Sequence, residues 1–316
     1  MTAMSNTPST ASWHAGELAL QRRAGVDPRR SAAILAIMRG FLTPQHRDFY
    51  PRLPFLVVGA VDADGAPWAT LLEGPPGFLQ VPDEVHLRIA AAADAGDPAR
   101  AGLRPGEAVG LLGIELATRR RNRLNGHIDA VDDGGLSVAV DQAFGNCPQY
   151  IHTRDLAWVE TAGAAPAEEL ATLDDAAREA IRGAPTFFVA SYADEGGRHV
   201  DVSHRGGRPG FVRVDGDVLT IPDFAGNQFF NTLGNLFANP RAGLVFPDFA
   251  SGDLLQLTGE TELVFAGPEL KAFEGAERLW RVRVQRAVRR RGALHWRGAI
   301  RHVSPQVLDT GAWVTS

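Results

Sequence analysis

Between Asp201 and Phe246 the chain gathers residue types that could hold a charged ligand: Ser203-His204-Arg205-Gly206, followed by Asn227, Asn231 and Thr232. A hydroxyl, an imidazole and a guanidinium stand in succession ahead of the hairpin sequence Gly207-Arg208-Pro209-Gly210. Asn227, Asn231 and Thr232 fall where a helix begins, and the first N–H groups of a helix lack intrahelical partners and favour negative charge. A guanidinium converging on such a terminus suits phosphate. A lone asparagine there is more often only an N-cap, so the expectation rests on the combination.

The elements that must position these residues are short. Strands are expected over Phe211 to Val214 and Asp217 to Ile221, then a Gly/Asn-rich loop from Ala225 to Gln228. Helical spacing follows, with Phe229, Phe230, Leu233, Leu236 and Phe237 on one face until Asn239-Pro240 stops it. Elsewhere, apolar runs such as Phe55 to Val61, Trp68 to Leu72 and Ala108 to Glu115 alternate with Gly/Pro/Asp turns, and Ser137 to Val140 adds a last short strand, the pattern of a small barrel or sandwich.

The pattern occurs twice. Phe55/Phe187, Gly74/Gly207, Ile89/Ile221, Gly110/Gly243 and Gly126/Gly259 all pair at an offset of 132 or 133 residues. The chain therefore reads as mainly β, two tandem β-barrels with flanking helices. A helical extension covers 1–41, the first barrel 42–158, a linker with a short helix 159–183, and the second barrel 184–316. The first ten residues or so read as a disordered polar tail. Only the second copy carries ligand-type residues. Thr70, Leu71 and Leu72 stand where the second has Ser203 to Arg205, and Asp94 and Asp97 fall in the segment matching Asn227 to Asn235. One site per chain is expected, with the first barrel as its complementing wall.

Three further places could do chemistry. In the run Arg119 to Arg123, period two sends Arg119, Arg121 and Arg123 to one face, from which an arginine could cross to a ligand on the second copy; a charged edge strand is the plainer reading. Pro148 predicts a helix capped by Asn146 or Cys147, where a thiolate is possible in principle, but no His/Asp partner is evident. Trp296 could stack on a ring or simply pack.

Composition limits the alternatives. A net charge of −5 and pI near 6.0 argue against nucleic-acid binding, and one cysteine excludes an internal disulfide or a multi-cysteine metal site. No apolar run reaches the ~18 residues of a membrane span, so a cytoplasmic protein is expected. Neither a G-x-G-x-x-G fingerprint nor an iron–sulfur cysteine set is present.

Ser203-His-Arg-Gly, Gly210-Phe-Val, Leu219-Thr-Ile-Pro-Asp, Gly226-Asn, Asn231-Thr-Leu-Gly-Asn-Leu and Asn239-Pro-Arg-Ala-Gly-Leu-Val-Phe together resemble the pyridoxamine 5'-phosphate oxidase-like flavoproteins, whose fold is the FMN-binding split barrel. The resemblance covers about Asp48 to Arg154 and Ala184 to Arg301. It implies FMN, with Ser203 and Arg205 contacting flavin or phosphate, and Asn227, Asn231 and Thr232 holding the phosphate. It also implies that Ile221-Pro222-Asp223 edges the isoalloxazine and that Arg121 stands where relatives place a flavin-contacting glutamine. Family members dimerise to complete each site, so the tandem chain is expected to form a pseudo-dimer internally or to pair again as a homodimer. The run Ala293-Leu-His295-Trp-Arg297 lacks the first arginine of the vitamin B6 oxidases' Arg-x-His-x-Arg, which argues against pyridoxamine phosphate as substrate. The expectation is an FMN-dependent oxidoreductase of a small molecule, supplied by a nicotinamide or protein electron donor, with no catalytic acid or base named. The alternatives are a non-catalytic flavin or haem carrier, with His204 as candidate haem ligand, and a scaffold whose arginine strand docks an acidic partner.

Overall fold

The computed structural model describes residues 12–161 and 165–313. The expected polar tail up to Thr10 lies outside the described residues. The chain opens with helices α1 (Ala15–Arg23), α2 (Pro28–Leu35) and α3 (Pro44–Phe49). Seven strands follow: β1 (Phe55–Val61), β2 (Pro67–Glu73), β3 (Leu79–Gln80), β4 (His86–Ile89), β5 (Ala108–Glu115), β6 (Arg120–Asp132) and β7 (Gly135–Asn146). Short strands β8 (Thr153–Arg154), β9 (Ala157–Trp158) and β10 (Glu168–Leu170) and helix α4 (Asp175–Gly183) lead to the second series. That series comprises β11 (Thr186–Ala193), β12 (His199–Gly206), β13 (Arg213–Asp215), β14 (Val218–Phe224), helix α5 (Asn231–Ala238), β15 (Arg241–Pro247), β16 (Leu254–Val264), helix α6 (Pro268–Ala272) and β17 (Ala276–Arg290).

The two sheets have one topology. The first runs β2-β1-β5-β6-β7-β4-β3 and the second β12-β11-β15-β16-β17-β14-β13, all antiparallel. Each is a split barrel, open rather than closed. The offset of 133 holds until β16, but Val138 in β7 and Val282 in β17 occupy matching places 144 residues apart. The extra residues are the loop that carries α6. Where the second half has α5, the first has only a short 3₁₀ turn, Pro98–Gly102.

β1 and β11 are buried on both faces, which is why they read as unbroken apolar runs. Leu56 and Val58 point into the first barrel's core, and Phe187 and Val189 into the second's. Their strand neighbours Phe55, Val57, Phe188 and Ala190 point the other way, into a third core shared by the halves with Leu71, Leu112, Val202 and Val245. Each such side chain contributes roughly 1.5–3 kcal/mol on burial, so the halves are held as one body. Gly110 and Gly243 occupy matching positions and set the approach distance. A Cβ on Gly110 would lie 2.8 Å from the Asp201 backbone, and one on Gly243 2.2 Å from the Pro67 carbonyl oxygen.

Several expectations need correction. β7 spans twelve residues rather than the short strand expected around Ser137 to Val140. No helix starts at Pro148; β7 ends at Asn146 and the chain turns through Tyr150, whose φ is +65°. Phe237 is 54% exposed, off the buried face of α5, because that face is set by Leu233 and Leu236 against the second core.

Candidate functional site

β12 pairs residue for residue with β11, so Asp201, Ser203 and Arg205 share one face while Val202 and His204 share the other. α5 lies over the first of these faces. Asn235 Nδ2 donates to Ser191 Oγ on β11 (3.1 Å), and Thr232 Oγ1 donates to Ser203 Oγ (2.9 Å). Phe230 precedes α5 in the left-handed region (φ +62°), and no side chain caps the helix. Its first N–H groups are therefore free of the capping oxygen that an ordinary helix start supplies. Asn227 is occupied within its own loop, where its Oδ1 accepts from the Phe229 N–H (3.2 Å).

The wall opposite comes from β6 of the first half. Arg123 crosses the boundary and donates through Nη1 to Asn231 Oδ1 (2.7 Å) and through Nη2 to Ser203 Oγ (2.6 Å). It pairs with Asp201 at 3.0 Å and is only 5% exposed. Arg121, two residues along on the same face, donates from Nε to the Cys147 carbonyl (2.6 Å) rather than to a carboxylate. Burial beside Arg123 pulls Arg121 below its ordinary range. On the far side Arg205 Nη1 donates to Asp223 Oδ1 (2.7 Å), and Arg278 Nε to Asp223 Oδ2 (3.0 Å). The Nε atoms of Arg123 and Arg205 are buried without a hydrogen-bond partner among the described residues.

These groups surround a cavity of about 330 Å³ at the junction of the halves. Four arginines, at 121, 123, 205 and 278, line it against two carboxylates, Asp223 and Glu277, with Asp201 behind Arg123. Crowded, desolvated cations are costly unless an anion compensates them. Three non-glycine residues at its rim, Tyr150, Gln228 and Phe230, are held at φ between 62° and 65°. Each such conformation costs on the order of 1–3 kcal/mol and persists where the surroundings impose it. Tyr150 stacks on Phe224 (5.2 Å) and donates its hydroxyl proton to the Ala225 carbonyl (2.9 Å), which ties the first half to the loop ahead of α5.

The N-terminal helices close the cradle from outside. α1 crosses α5 at Gly16 and Gly234, so tightly that a Cβ on Gly16 would sit 2.1 Å from the Gly234 carbonyl oxygen. The crossing delivers Glu17, whose Oε1 accepts from Asn231 Nδ2 (2.7 Å). Burial pushes the Glu17 carboxyl up to about 8.

Of the residues singled out from sequence, Ser203, His204, Arg205, Pro222, Asp223, Asn227, Asn231, Thr232 and Arg121 all line the cavity. Ile221 does not; it is fully buried in the second barrel's core. Trp296 is far from it. Its Nε1 donates to the Gly74 carbonyl (3.4 Å) and its ring meets Trp158 edge-on, so it closes the opposite end of the pseudo-twofold. His204 touches the cavity from the other face of β12, where its ring packs edge-on to Phe188. Both its ring nitrogens are buried and unpartnered among the described residues, and burial holds it well below the usual histidine range. Cys147 accepts from Arg121 through its carbonyl, and no helix begins there for it to cap.

The matching position in the first half is occupied by the protein itself. Gln256 replaces Arg123 and Thr70 replaces Ser203, and Arg290 from β17 enters the space. Arg290 is 5% exposed, pairs with Asp97 (2.9 Å) and Asp94, and Asp97 also accepts from Gln256 Nε2 (2.9 Å) and Thr70. Sequence reasoning placed Arg123 on the correct face without singling it out. It missed Glu17, Asp201, Tyr150 and Arg278, of which Glu17 gives no local signal because its partner lies 214 residues away.

The sequence pattern described as pyridoxamine 5'-phosphate oxidase matches residues 42–164 and again 173–297. No curated protein matches the chain. Among solved structures it is similar to HupZ of Group A Streptococcus, at 14% identity and a TM-score of 0.28 over 40% of this chain and 94% of that one. A FAD-binding protein from Mesorhizobium loti is similar at 13% identity and a TM-score of 0.27, over 40% of this chain and 97% of that one.

Proposed function

The chain belongs to the pyridoxamine 5'-phosphate oxidase family, and from that premise we propose that the cavity between its halves binds FMN and serves an oxidoreductase reaction on a small molecule. The observation that carries this reading is the cradle at the start of α5: an uncapped helix N-terminus facing buried arginine nitrogens that have no protein partner among the described residues. That donor set matches a phosphate, which accepts several charge-assisted hydrogen bonds at once. Ser203, Arg205, Asn231, Thr232 and the first N–H groups of α5 would hold the phosphate. Arg121, the Pro222–Asp223 edge and Tyr150 would border the ring. When bound, FMN supplies hydride exchange, and the chain's own contribution is to orient the ring, exclude water and set the charge around it.

A haem carrier with His204 as ligand is the competing reading. It is disfavoured by the position of His204, on the opposite face of β12 from Ser203 and Arg205 and packed on Phe188. Among the described residues no helix is long and apolar enough to cross a membrane. A nicotinamide nucleotide or a protein would deliver electrons, docking at the rim.

The test is mass spectrometry of the ligand released from denatured protein, together with FMN titration followed by flavin fluorescence. FMN in the extract, or saturable quenching at one FMN per chain, is the expected result. A Soret-absorbing ligand, or no response to FMN, removes the reading. Arg205→Ala is expected to weaken FMN by about 10- to 100-fold, the scale of a lost hydrogen bond to a charged group.

A further inference from the structure

Glu17 is a buried carboxyl, 5% exposed, in the one element of the site that belongs to neither barrel. It is wedged where α1 crosses α5, and its partner Asn231 stands between it and Arg123. In this arrangement both ends of the Asn231 amide are engaged: Nδ2 donates to Glu17 and Oδ1 accepts from Arg123. An amide so placed has two orientations. If Glu17 carries a proton, its hydroxyl can donate to Asn231 Oδ1, the amide turns over, and Nδ2 faces the cavity as a donor. Arg123 then loses Asn231 as a partner while it stays paired with Asp201 and Ser203, and the N–H so released can meet an anion.

We propose that Glu17 and Asn231 form a proton-coupled relay in which binding of a phosphorylated ligand at the start of α5 is accompanied by uptake of one proton at Glu17. This rests on the FMN reading above and extends it to the control of that site. The groups around Glu17 support the direction. From its own helix cap comes His14, whose backbone N–H donates to Oε2 (3.1 Å) and whose ring Nε2 lies 3.6 Å from the same oxygen. From β12 comes Asp201, a like charge, and from β6 comes Arg123, an opposite one. α5 contributes the amides of Asn231 and Asn235, while Glu195 and His199 lie beside His14 at the outer edge. Burial outweighs the hydrogen bonds from the His14 N–H and the Asn231 amide and the attraction of Arg123, so the carboxyl is pushed up to about 8. A phosphate arriving beside Asp201 and drawing on Arg123 adds negative charge, which raises that value further.

The experiment is isothermal calorimetry of FMN binding to the full chain at pH 8, in two buffers of different ionisation enthalpy, with riboflavin as the ligand lacking phosphate. FMN is fully ionised there, because phosphate monoesters lose their second proton near pH ~6. The expected result is uptake of a substantial fraction of a proton with FMN and none with riboflavin. FMN affinity should fall about tenfold between pH 7 and 9 by the linkage relation. Glu17→Gln, isosteric and permanently neutral, should hold its affinity flat over that range. If FMN binds but no proton is taken up, or if Glu17→Gln keeps the full pH dependence, the relay is wrong while the FMN reading stands. Failure of FMN to bind at all overturns both.

Discussion

Arg123 is the residue on which the site turns, because it ties the two halves together and neutralises a carboxylate whose other partners, Asn125 and Ser203, are uncharged. Asp201 accepts from it at 3.0 Å, with both side chains nearly inaccessible. Breaking such a pair by removing one member typically costs about 3–5 kcal/mol, since the remaining charge keeps its desolvation penalty. Arg123→Met is thus expected to lower stability by that order in urea unfolding and to abolish FMN binding. Adding Asp201→Asn should recover much of the stability without the binding, and equal destabilisation in single and double variants would refute the pairing argument. Glu17 gives a second residue-scale expectation, with the sign fixed by linkage. Its folded value of about 8 lies above the ordinary 4.5, so the folded state alone holds this proton between those limits. The Glu17 contribution to stability therefore falls as pH rises through the window from 4.5 to 8 and levels off above it. The total is on the order of 3–5 kcal/mol at 1.36 kcal/mol per unit. Relative to Glu17→Gln, the wild type should lose stability across that interval; parallel pH profiles for the two would show that Glu17 is not held as the structure has it.

At the scale of elements, the crossing of α1 and α5 decides whether Glu17 reaches the site, and two glycines permit it. A Cβ at Gly234 would lie 2.7 Å from the Glu17 side chain and 2.8 Å from its backbone. Gly234→Ala should push α1 outward and cost roughly 1–3 kcal/mol, the scale of overpacking. It should also expose the α1 backbone to hydrogen exchange, and unchanged protection of α1 would mean that the contact is not limiting. The sequence made α5, its loop and most strands readable, because apolar runs such as those of β1, β5 and β11 and the stop at Asn239-Pro240 are local signals. β7 was underestimated because Asp141, Gln142 and Asn146 break its apolar pattern, although Gln142 and Asn146 sit in a ladder with β6 and Asp141 falls at its bulge. The turn at 147–150 was misread for a related reason. Pro148 suits a helix start, but Tyr150 is pulled into a left-handed turn by its stacking on Phe224 and its bond to Ala225, contacts that exist only once the halves meet. For Trp296 the packing reading is the one that holds, but its partners Gly74 and Trp158 lie in a part of the chain with no visible relation to it.

At the scale of the whole molecule, the duplication gives two equivalent positions related by a pseudo-twofold, and the chain has kept one open while closing the other. The open one sets Arg123 against Ser203 and Thr232; the closed one sets Gln256 against Thr70, and Arg290 fills the space with Asp94 and Asp97. The substitution of a short 3₁₀ turn for α5 removes the helix N-terminus on the closed side, so even an emptied pocket there would lack the main anion-binding device. Stoichiometry and stability should accordingly separate. Arg290→Met leaves Asp97 buried without its cation and should destabilise the fold by about 3–5 kcal/mol. FMN should still bind at one per chain with affinity within a factor of about two, because the partners of Arg290 among the described residues lie away from the open cavity and distant sites act independently. Paired calorimetric titrations of wild type and Arg290→Met measure stoichiometry and affinity, and urea unfolding of the two measures the stability loss. A wild-type stoichiometry of two would show that the closed position accepts ligand, and a large loss of affinity in Arg290→Met would show that the two ends of the pseudo-twofold are coupled through the shared core of Phe55, Val57, Phe188 and Val202.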